Sequence, residues 1–207
     1  PPLAPFIPTT KGFSLLIDCG ANVDARPEHL VQFAQMGSIY YENVMGKKNP
    51  TVALLNIGTE EEKGNQLVKD TKPLMKECKN INYIGSVEAR ELVSGAADVI
   101  VCEAFVGNVV LKFFEGLALT LFGSLKEGLM SSTRTKLGAL LVKPALKGLK
   151  NQFDTSSQGG APLLGLKGLV VKAHGNSSSK EIEIALKQCI SFKKQKINEK
   201  IKESICD

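Results

Sequence analysis

Five apolar runs, each followed by a helix-forming segment, constrain the fold of this 207-residue chain more than any other feature. Strands that are apolar on both faces and are joined by helices are typical of a parallel sheet. We therefore predict an α/β fold, a parallel sheet covered by helices on both faces, in a single domain over 1–207. Each run with its following helix lies, in chain order, at 13–20 and 26–46, 51–58 and 64–80, 81–87 and 88–95, 97–105 and 107–130, 166–175 and 177–204.

The composition excludes several classes of protein. Hydrophobic residues make up 43% and charged residues 23%, which are ordinary values for a globular protein. No run of about 18 apolar residues occurs, so the sequence predicts no transmembrane helix. Aromatic residues are sparse, at 6%, and do not alternate with a basic stripe, which argues against nucleic acid as a partner. The net charge of +5 is compatible with an acidic partner or an anionic membrane surface.

Cysteine, histidine and glycine patterns predict neither a metal nor a cofactor. The five cysteines are odd in number and form no C-x-x-C pair, which favours a reducing cytosol over disulfides or a zinc site. We interpret them as packing residues. The two histidines and the scattered acids show no metal-ligand spacing. The nucleotide motifs G-x-G-x-x-G and G-x-x-x-x-G-K-[ST] are absent, as is the nucleophile motif G-x-S-x-G.

Four predicted strand ends carry glycine next to asparagine or serine. In open α/β sheets, ligands bind outside the carboxyl ends of the strands. Glycine lets backbone N–H groups approach a ligand, and the N-terminus of the following helix favours anions. Plain turn chemistry is the alternative, but four such ends together favour a phosphate or oxyanion site. The ends include Asn22, Gly58, Gly107 with Asn108, and His174 to Ser177.

The segment "TEEEKGN" after the second strand places a lysine beside three glutamates at 60–62. Lys63 is either a solvated lysine paired with a neighbouring glutamate or an ammonium that neutralises a bound anion. Gly64 and Asn65 would open the helix behind it. The glutamates either position Lys63 or are only solvated.

Asn108 and His174 each have a structural and a functional interpretation. Asn108 either caps the helix that it opens or donates its amide to an oxyanion. His174, at the end of an apolar strand, is either a satisfied strand-end histidine or an acid, base or donor.

A helical insertion at 131–154 is the compositional outlier of the chain. Leucines alternate with lysines there, as an interfacial amphipathic helix on anionic lipid requires. An ordinary surface or dimer helix is the alternative, and Pro144 limits the helix's regularity. The residues predicted to face the membrane include Leu137, Leu141, Lys143, Leu146 and Lys147.

Four segments closely resemble the PlsX family of phosphate acyltransferases of bacterial phospholipid synthesis. The match is in order and runs from about residue 12 to about residue 190. Family members carry an N-terminal segment with further glycine-rich motifs, so the resemblance implies that this chain, which begins Pro1-Pro2, is a C-terminal portion. The segments are "DCGANVDARPEHLVQFAQMG", "LLNIGTEEEKGN", "ADVIVCEAFVGNVVLKFFEG" and "QGGAPLLGLKGLVVKAHGNSS".

The resemblance implies an activity, a fold and partners. The reaction would convert acyl-(acyl carrier protein) and inorganic phosphate to acyl phosphate and free carrier protein. The fold would be Rossmann-like, akin to the isocitrate and isopropylmalate dehydrogenases and the phosphotransacetylases, without nicotinamide or metal. The protein would be a cytoplasmic homodimer that associates peripherally with the membrane.

The resemblance also assigns roles to individual residues. The family's proposed catalytic residues fall on Lys63, for phosphate or oxyanion charge, and on Asn108, for an oxyanion hydrogen bond. His174 is a further candidate donor, and Gly58, Gly107, Gly159 and Gly160 are expected to allow close backbone approach. Two other functions stay open: a phosphotransacetylase-like enzyme that uses coenzyme A, and an inactive scaffold at the lipid surface.

Overall fold

The computed structural model describes residues 1–153 and 159–205. Its elements follow the predicted alternation of strands and helices, with one additional strand before the series and another between α4 and the last strand. In chain order they are β1 (Phe6–Thr9), β2 (Gly12–Ile17), α1 (Pro27–Met45), β3 (Thr51–Asn56), α2 (Gln66–Glu77), β4 (Asn82–Glu88), a 3₁₀ helix (Ala89–Ser94), β5 (Val99–Val101), α3 (Ala104–Met130), α4 (Thr133–Gln152), β6 (Ala161–Leu163), β7 (Val170–Lys172), α5 (Ser179–Lys194) and α6 (Ile197–Ile205).

The central sheet has five strands in the order β1-β2-β5-β3-β4. Strands β2, β5, β3 and β4 are parallel to their neighbours, as predicted, whereas the edge strand β1 pairs antiparallel with β2. The sheet is therefore mostly parallel. The prediction of a fifth parallel strand at 166–175 is wrong, because only Val170–Lys172 is extended there and it pairs with β6 in a separate antiparallel sheet.

Both faces of the central sheet are buried, which explains the unbroken apolar runs. Leu15 and Ile17 pack on the side of α1, α2 and α6, while Leu16 between them packs on the side of α3. The same alternation continues in β5, where Val99 and Ile100 belong to opposite cores. Successive side chains of a strand point to opposite faces, and here each face packs against helices. The predicted cover of helices on both faces is therefore confirmed.

Three helix boundaries differ from the prediction for local reasons. Helix α3 begins three residues early because the Glu103 carboxylate caps it, accepting from the backbone N–H groups of Phe105 and Val106. The predicted C-terminal helix at 177–204 is broken by Lys196, which has a φ of 53°. Helix α2 begins at Gln66, two residues later than predicted, because the Asn65 side chain caps it, and it continues through Pro73.

Helices α3 and α4 form a hairpin, and α4 occupies Thr133–Gln152 of the predicted insertion at 131–154. The first turns of α3 pack on the sheet through Val106, Val110 and Leu111. Beyond them α3 is largely exposed. It has an 18-residue window with a mean hydropathy of 1.6 that is 6% buried, so by length and composition alone it could cross a membrane, contrary to the sequence expectation.

Candidate functional site

The carboxyl ends of β2, β5 and β3 lie side by side, because β5 inserts between the other two strands. The loops that follow these strands therefore meet at one edge of the sheet, as the strand-end pattern predicts. They carry Asn22 after β2, Asn108 after β5 and Lys63 after β3.

The β2 end is built around the buried carboxylate of Asp18, which is fully inaccessible to solvent. Its oxygens accept hydrogen bonds from the backbone N–H groups of Leu3, Gly20, Ala21 and Asn22, at 2.8–3.1 Å. The Asn22 side-chain amide also donates to Asp18, at 2.6 Å, and to the Pro1 carbonyl, at 2.9 Å. The donors of this loop are thus engaged within the chain. The phosphate-binding role of Asn22 stays a prediction that these contacts do not favour.

The first turn of α3 presses against the same β2 end. The backbone N–H of Ala104 donates to the Asn22 carbonyl at 3.1 Å. A Cβ on Gly107 would overlap the Asp18 carbonyl oxygen and lie 2.9 Å from Cys102 Sγ. Gly107 therefore allows a close approach between two parts of this chain, whereas the sequence analysis assigned that approach to a ligand.

Asn108 follows Gly107 inside α3 and its side chain is exposed. Its Oδ1 lies 3.9 Å from the position that a Cβ on Gly20 would occupy, so it faces the β2 end. The capping interpretation of Asn108 is wrong, because Glu103 is the capping residue. Its amide remains a candidate hydrogen-bond donor to a ligand.

The loop after β3 exposes Lys63 and fixes its backbone. The buried Asn56 amide donates to the carbonyls of Gly58, at 2.8 Å, and Lys63, at 3.0 Å. Gly64 adopts a φ of +117°, a conformation that favours glycine, and Asn65 caps α2 by accepting from the Val68 N–H at 2.9 Å.

Lys63 has no ion pair among the residues that the structure describes. Among these residues, the predicted ion pair between Lys63 and a neighbouring glutamate does not form. Instead, Glu61 pairs with Lys76 of α2 at 2.7 Å. The hydrogen bond from Lys76 holds the pKa of the Glu61 carboxyl below its usual value. The Lys63 ammonium is therefore available to an anion.

A cleft of about 420 Å³ lies between α3, β1 and the small sheet. It brings together Asn108, His174, Gly159 and Gly160, four of the predicted site residues. Lys63, Gly58, Gly64 and Asn65 do not line it, since their loop follows β3, two strands away from β2. Apolar side chains form much of the wall, among them Leu3, Phe6, Ile7, Leu111, Phe114, Ala118 and Leu119.

The polar groups of the cleft are partly committed to internal contacts. Gly160 donates its N–H to the Gln188 side chain at 3.1 Å. The exposed His174 accepts from the Asn176 N–H through Nδ1, at 3.3 Å, which leaves Nε2 as the donor of the neutral ring. Of the predicted cleft residues, Asn108 and His174 therefore keep donors for a substrate.

The cysteines at this edge are unsuited to nucleophilic chemistry. Cys19 and Cys102 are buried, and burial raises the pKa of each thiol well above its usual value. A protonated thiol is a poor nucleophile, so both act as packing residues. Within 1–153 and 159–205, no group of histidine, cysteine and carboxylate side chains could hold a metal ion. Cys206 lies outside the described residues.

Asp18 and Lys72 are two buried charged residues at this edge to which the sequence analysis gave no role. Lys72 is 3% exposed and lies on the helix face of Thr71 and Met75, both fully buried. A lysine on the buried face of a helix is a signal that the pattern "VKDTKPLM" contains. Asp18 is signalled more weakly, as an acid between an apolar strand and a glycine.

Comparison with known proteins places the chain in a family. A sequence model of the family described as "Fatty acid synthesis protein" matches residues 1–200. Proteins named phosphate acyltransferase from Alkaliphilus oremlandii and Clostridium novyi are 52% and 50% identical to it over 205 residues. That alignment covers 99% of this chain but 61% of each relative, so the chain spans less than two thirds of their length.

A solved structure shares the fold. The branched-chain phosphotransacylase from Enterococcus faecalis is 17% identical, with a TM-score of 0.55 over 92% of this chain and 65% of that one. The structural match and the sequence match thus both extend over nearly the whole chain. The chain belongs to the family of fatty acid synthesis proteins.

Proposed function

We propose that the protein containing this chain transfers an acyl group from acyl-(acyl carrier protein) to inorganic phosphate. The products would be an acyl phosphate and free carrier protein, in bacterial phospholipid synthesis. The observation that carries this proposal is the identity of about half the residues, over 99% of the chain, with proteins named phosphate acyltransferase. We also propose that the fold of this chain is related to that of the isocitrate and isopropylmalate dehydrogenases.

The cleft supports an acyl substrate. Beyond Asn108, its α3 wall carries the apolar side chains of Leu111, Phe114, Ala118 and Leu119. The ion pair between Lys112 and Glu115 also lines it. An acyl chain can bury its methylene groups against this wall, at roughly 0.8 kcal/mol for each. The reacting carbonyl would then lie near Asn108, at the polar end.

The proposed chemistry is a direct displacement. A phosphate oxygen forms a bond to the thioester carbonyl carbon, and the carbon–sulfur bond of the tetrahedral intermediate breaks to release thiolate. Phosphate is already nucleophilic and thiolate is a fair leaving group, so no covalent enzyme intermediate is required. The site has to align the phosphate and stabilise the oxyanion, roles that fit Lys63 and Asn108.

A coenzyme A thioester is the second candidate acyl donor, because the chain shares its fold with a phosphotransacylase. The test incubates the full-length protein with an acyl-carrier-protein thioester or the matching acyl-CoA, with and without phosphate. We expect faster, phosphate-dependent release of thiol from the carrier protein. Preference for acyl-CoA would replace the proposed donor, and retained vesicle binding without any cleavage would favour the inactive scaffold.

Replacement of Lys63 by alanine tests its assignment. Loss of one charged donor to a phosphate or oxyanion should lower turnover by roughly 10²–10³-fold. The measurement is the initial rate of phosphate-dependent thioester cleavage by full-length Lys63→Ala. Lys69→Ala, which removes an exposed lysine of α2, is the matched control and should keep normal turnover. Near-normal turnover of Lys63→Ala would show that the assignment is wrong.

The α3–α4 hairpin supports a peripheral membrane role. On α4, Leu137 and Leu141 are exposed beside the exposed Lys143 and Lys147, whereas Leu146 is half-buried. Apolar side chains flanked by lysines suit the boundary between anionic head groups and acyl chains. We propose that this face of α4 contacts the cytoplasmic membrane surface, in line with a cytoplasmic, peripherally associated enzyme.

Leu141, which is 84% exposed, provides the test of membrane contact. Leu141→Glu removes roughly 1.5–3 kcal/mol of apolar burial, so binding should weaken by about tenfold or more. Co-sedimentation with phosphatidylglycerol-containing vesicles measures the effect. Leu186→Glu makes the same change at an exposed leucine of α5 and should leave binding intact. Equal binding of both variants would contradict the proposal.

The homodimer is also a proposal, supported by the exposed stripe of α3. Phe105, Val109, Phe113 and Leu117 recur every four residues and are all more than half exposed. Such a stripe is the surface that a second helix covers. We propose that a second copy of this chain packs there.

A charge in the middle of the stripe tests the dimer. In sedimentation velocity the full-length protein should have the mass of two copies, and Phe113→Glu should shift it toward one. Ile190→Glu, on α5, serves as the control at a similarly exposed apolar residue. A monomeric wild type, or a dimer unaffected by Phe113→Glu, would refute this interface.

A further inference from the structure

Lys72 is a lysine that the fold buries, at 3% exposure, on the inner face of α2. Burying an ammonium costs several kcal/mol unless its hydrogen bonds are replaced. The position is therefore unlike the exposed lysines on the rest of α2. Hydrogen-bond acceptors of the protein have to replace the water that the Lys72 ammonium loses on burial.

The compensation comes from the loop that carries Lys63. The Lys72 ammonium donates to the carbonyl oxygens of Glu60, at 3.0 Å, Glu61, at 2.7 Å, and Lys63, at 2.9 Å. An ammonium has three N–H donors, and here each donor has a carbonyl acceptor. All three acceptors belong to four consecutive residues of one exposed loop.

The Lys63 carbonyl is held from a second direction. It also accepts from the Asn56 amide at 3.0 Å, and the same amide binds the Gly58 carbonyl. Hence two buried side chains, from β3 and α2, fix the backbone of the residue whose ammonium is exposed. A third contact, the ion pair between Glu61 and Lys76, ties the loop to the next turn of α2.

We propose that Lys72 is a positioning residue for acyl transfer: by binding three loop carbonyls it fixes the place from which Lys63 meets the anion. This inference rests on the proposed function of Lys63. Lys72 does not touch the substrate. Its removal lets the loop move, and a misplacement of about 1 Å in a catalytic group can cost 10²-fold in rate.

A cycle of four proteins tests the inference at full length: wild type, Lys63→Ala, Lys72→Met and the double variant. Methionine keeps the length of the buried chain and removes its donors. The measurement is kcat with the acyl-carrier-protein thioester at saturating phosphate. Lys72→Met should lower kcat by about 10–100-fold in the wild-type background and have no further effect in Lys63→Ala. Lys69→Met is the control on the exposed face of α2.

The outcomes separate this inference from the proposed function. A loss of stability lowers the active fraction by the same factor in both backgrounds, so equal losses would overturn the positioning role. Near-normal kcat of Lys63→Ala would overturn the role of Lys63 and, with it, that of Lys72. If Lys72→Met does not fold, Lys72→Arg takes its place, because it retains charged donors, and we expect a smaller loss that again vanishes in Lys63→Ala.

Discussion

The buried carboxylate of Asp18 is the interaction on which the arrangement of this edge depends. A carboxylate without solvent is costly unless its lone pairs are filled, and five N–H groups from the chain start and the β2 end fill them here. These hydrogen bonds fix the loop after β2. Helix α3 then docks on the same end of β2 through Gly107, which lies against the Asp18 backbone carbonyl, so the place of Asn108 follows from this packing.

The sequence predicted those parts of the fold that depend on hydrophobic periodicity. The predicted strands that correspond to β2, β3 and β5 were correct, because two-sided burial leaves an unbroken apolar pattern. The helix predicted over 26–46 was also correct and spans Pro27–Met45. The prediction of a fifth parallel strand was wrong. The segment "LKGLVVKAHG" has the apolar composition of a buried strand, but its extended part pairs only with β6. Composition reports apolar character and does not specify the pairing partner.

The candidate site was predicted only in part, because its parts are joined by tertiary contacts. Asn108 and His174 do share a cleft, although they are far apart in sequence. Lys63 lies on a neighbouring strand end outside that cleft, and the contacts of Asn22 turned out to be internal. Lys72 and Asp18 act through carbonyl oxygens and N–H groups of the backbone. Side-chain patterns therefore do not reveal their partners. Glu60 and Glu61 matter in part through their backbone carbonyls, which any residue could supply.

Helix α3 connects the two regions to which function is assigned. Its first turns are locked to the sheet, and the remaining turns carry the hairpin outward. At a rise of about 1.5 Å per residue, Met130 lies roughly 33 Å from Asn108 along the axis. Helix α4 then runs back along α3, and its C-terminal end returns to the central sheet, where the Gln152 side chain donates to the Thr9 carbonyl. On the proposed function, the cleft and the lipid-facing residues of α4 therefore belong to one hairpin, and an acyl phosphate formed beside Asn108 meets the membrane surface within the length of that hairpin.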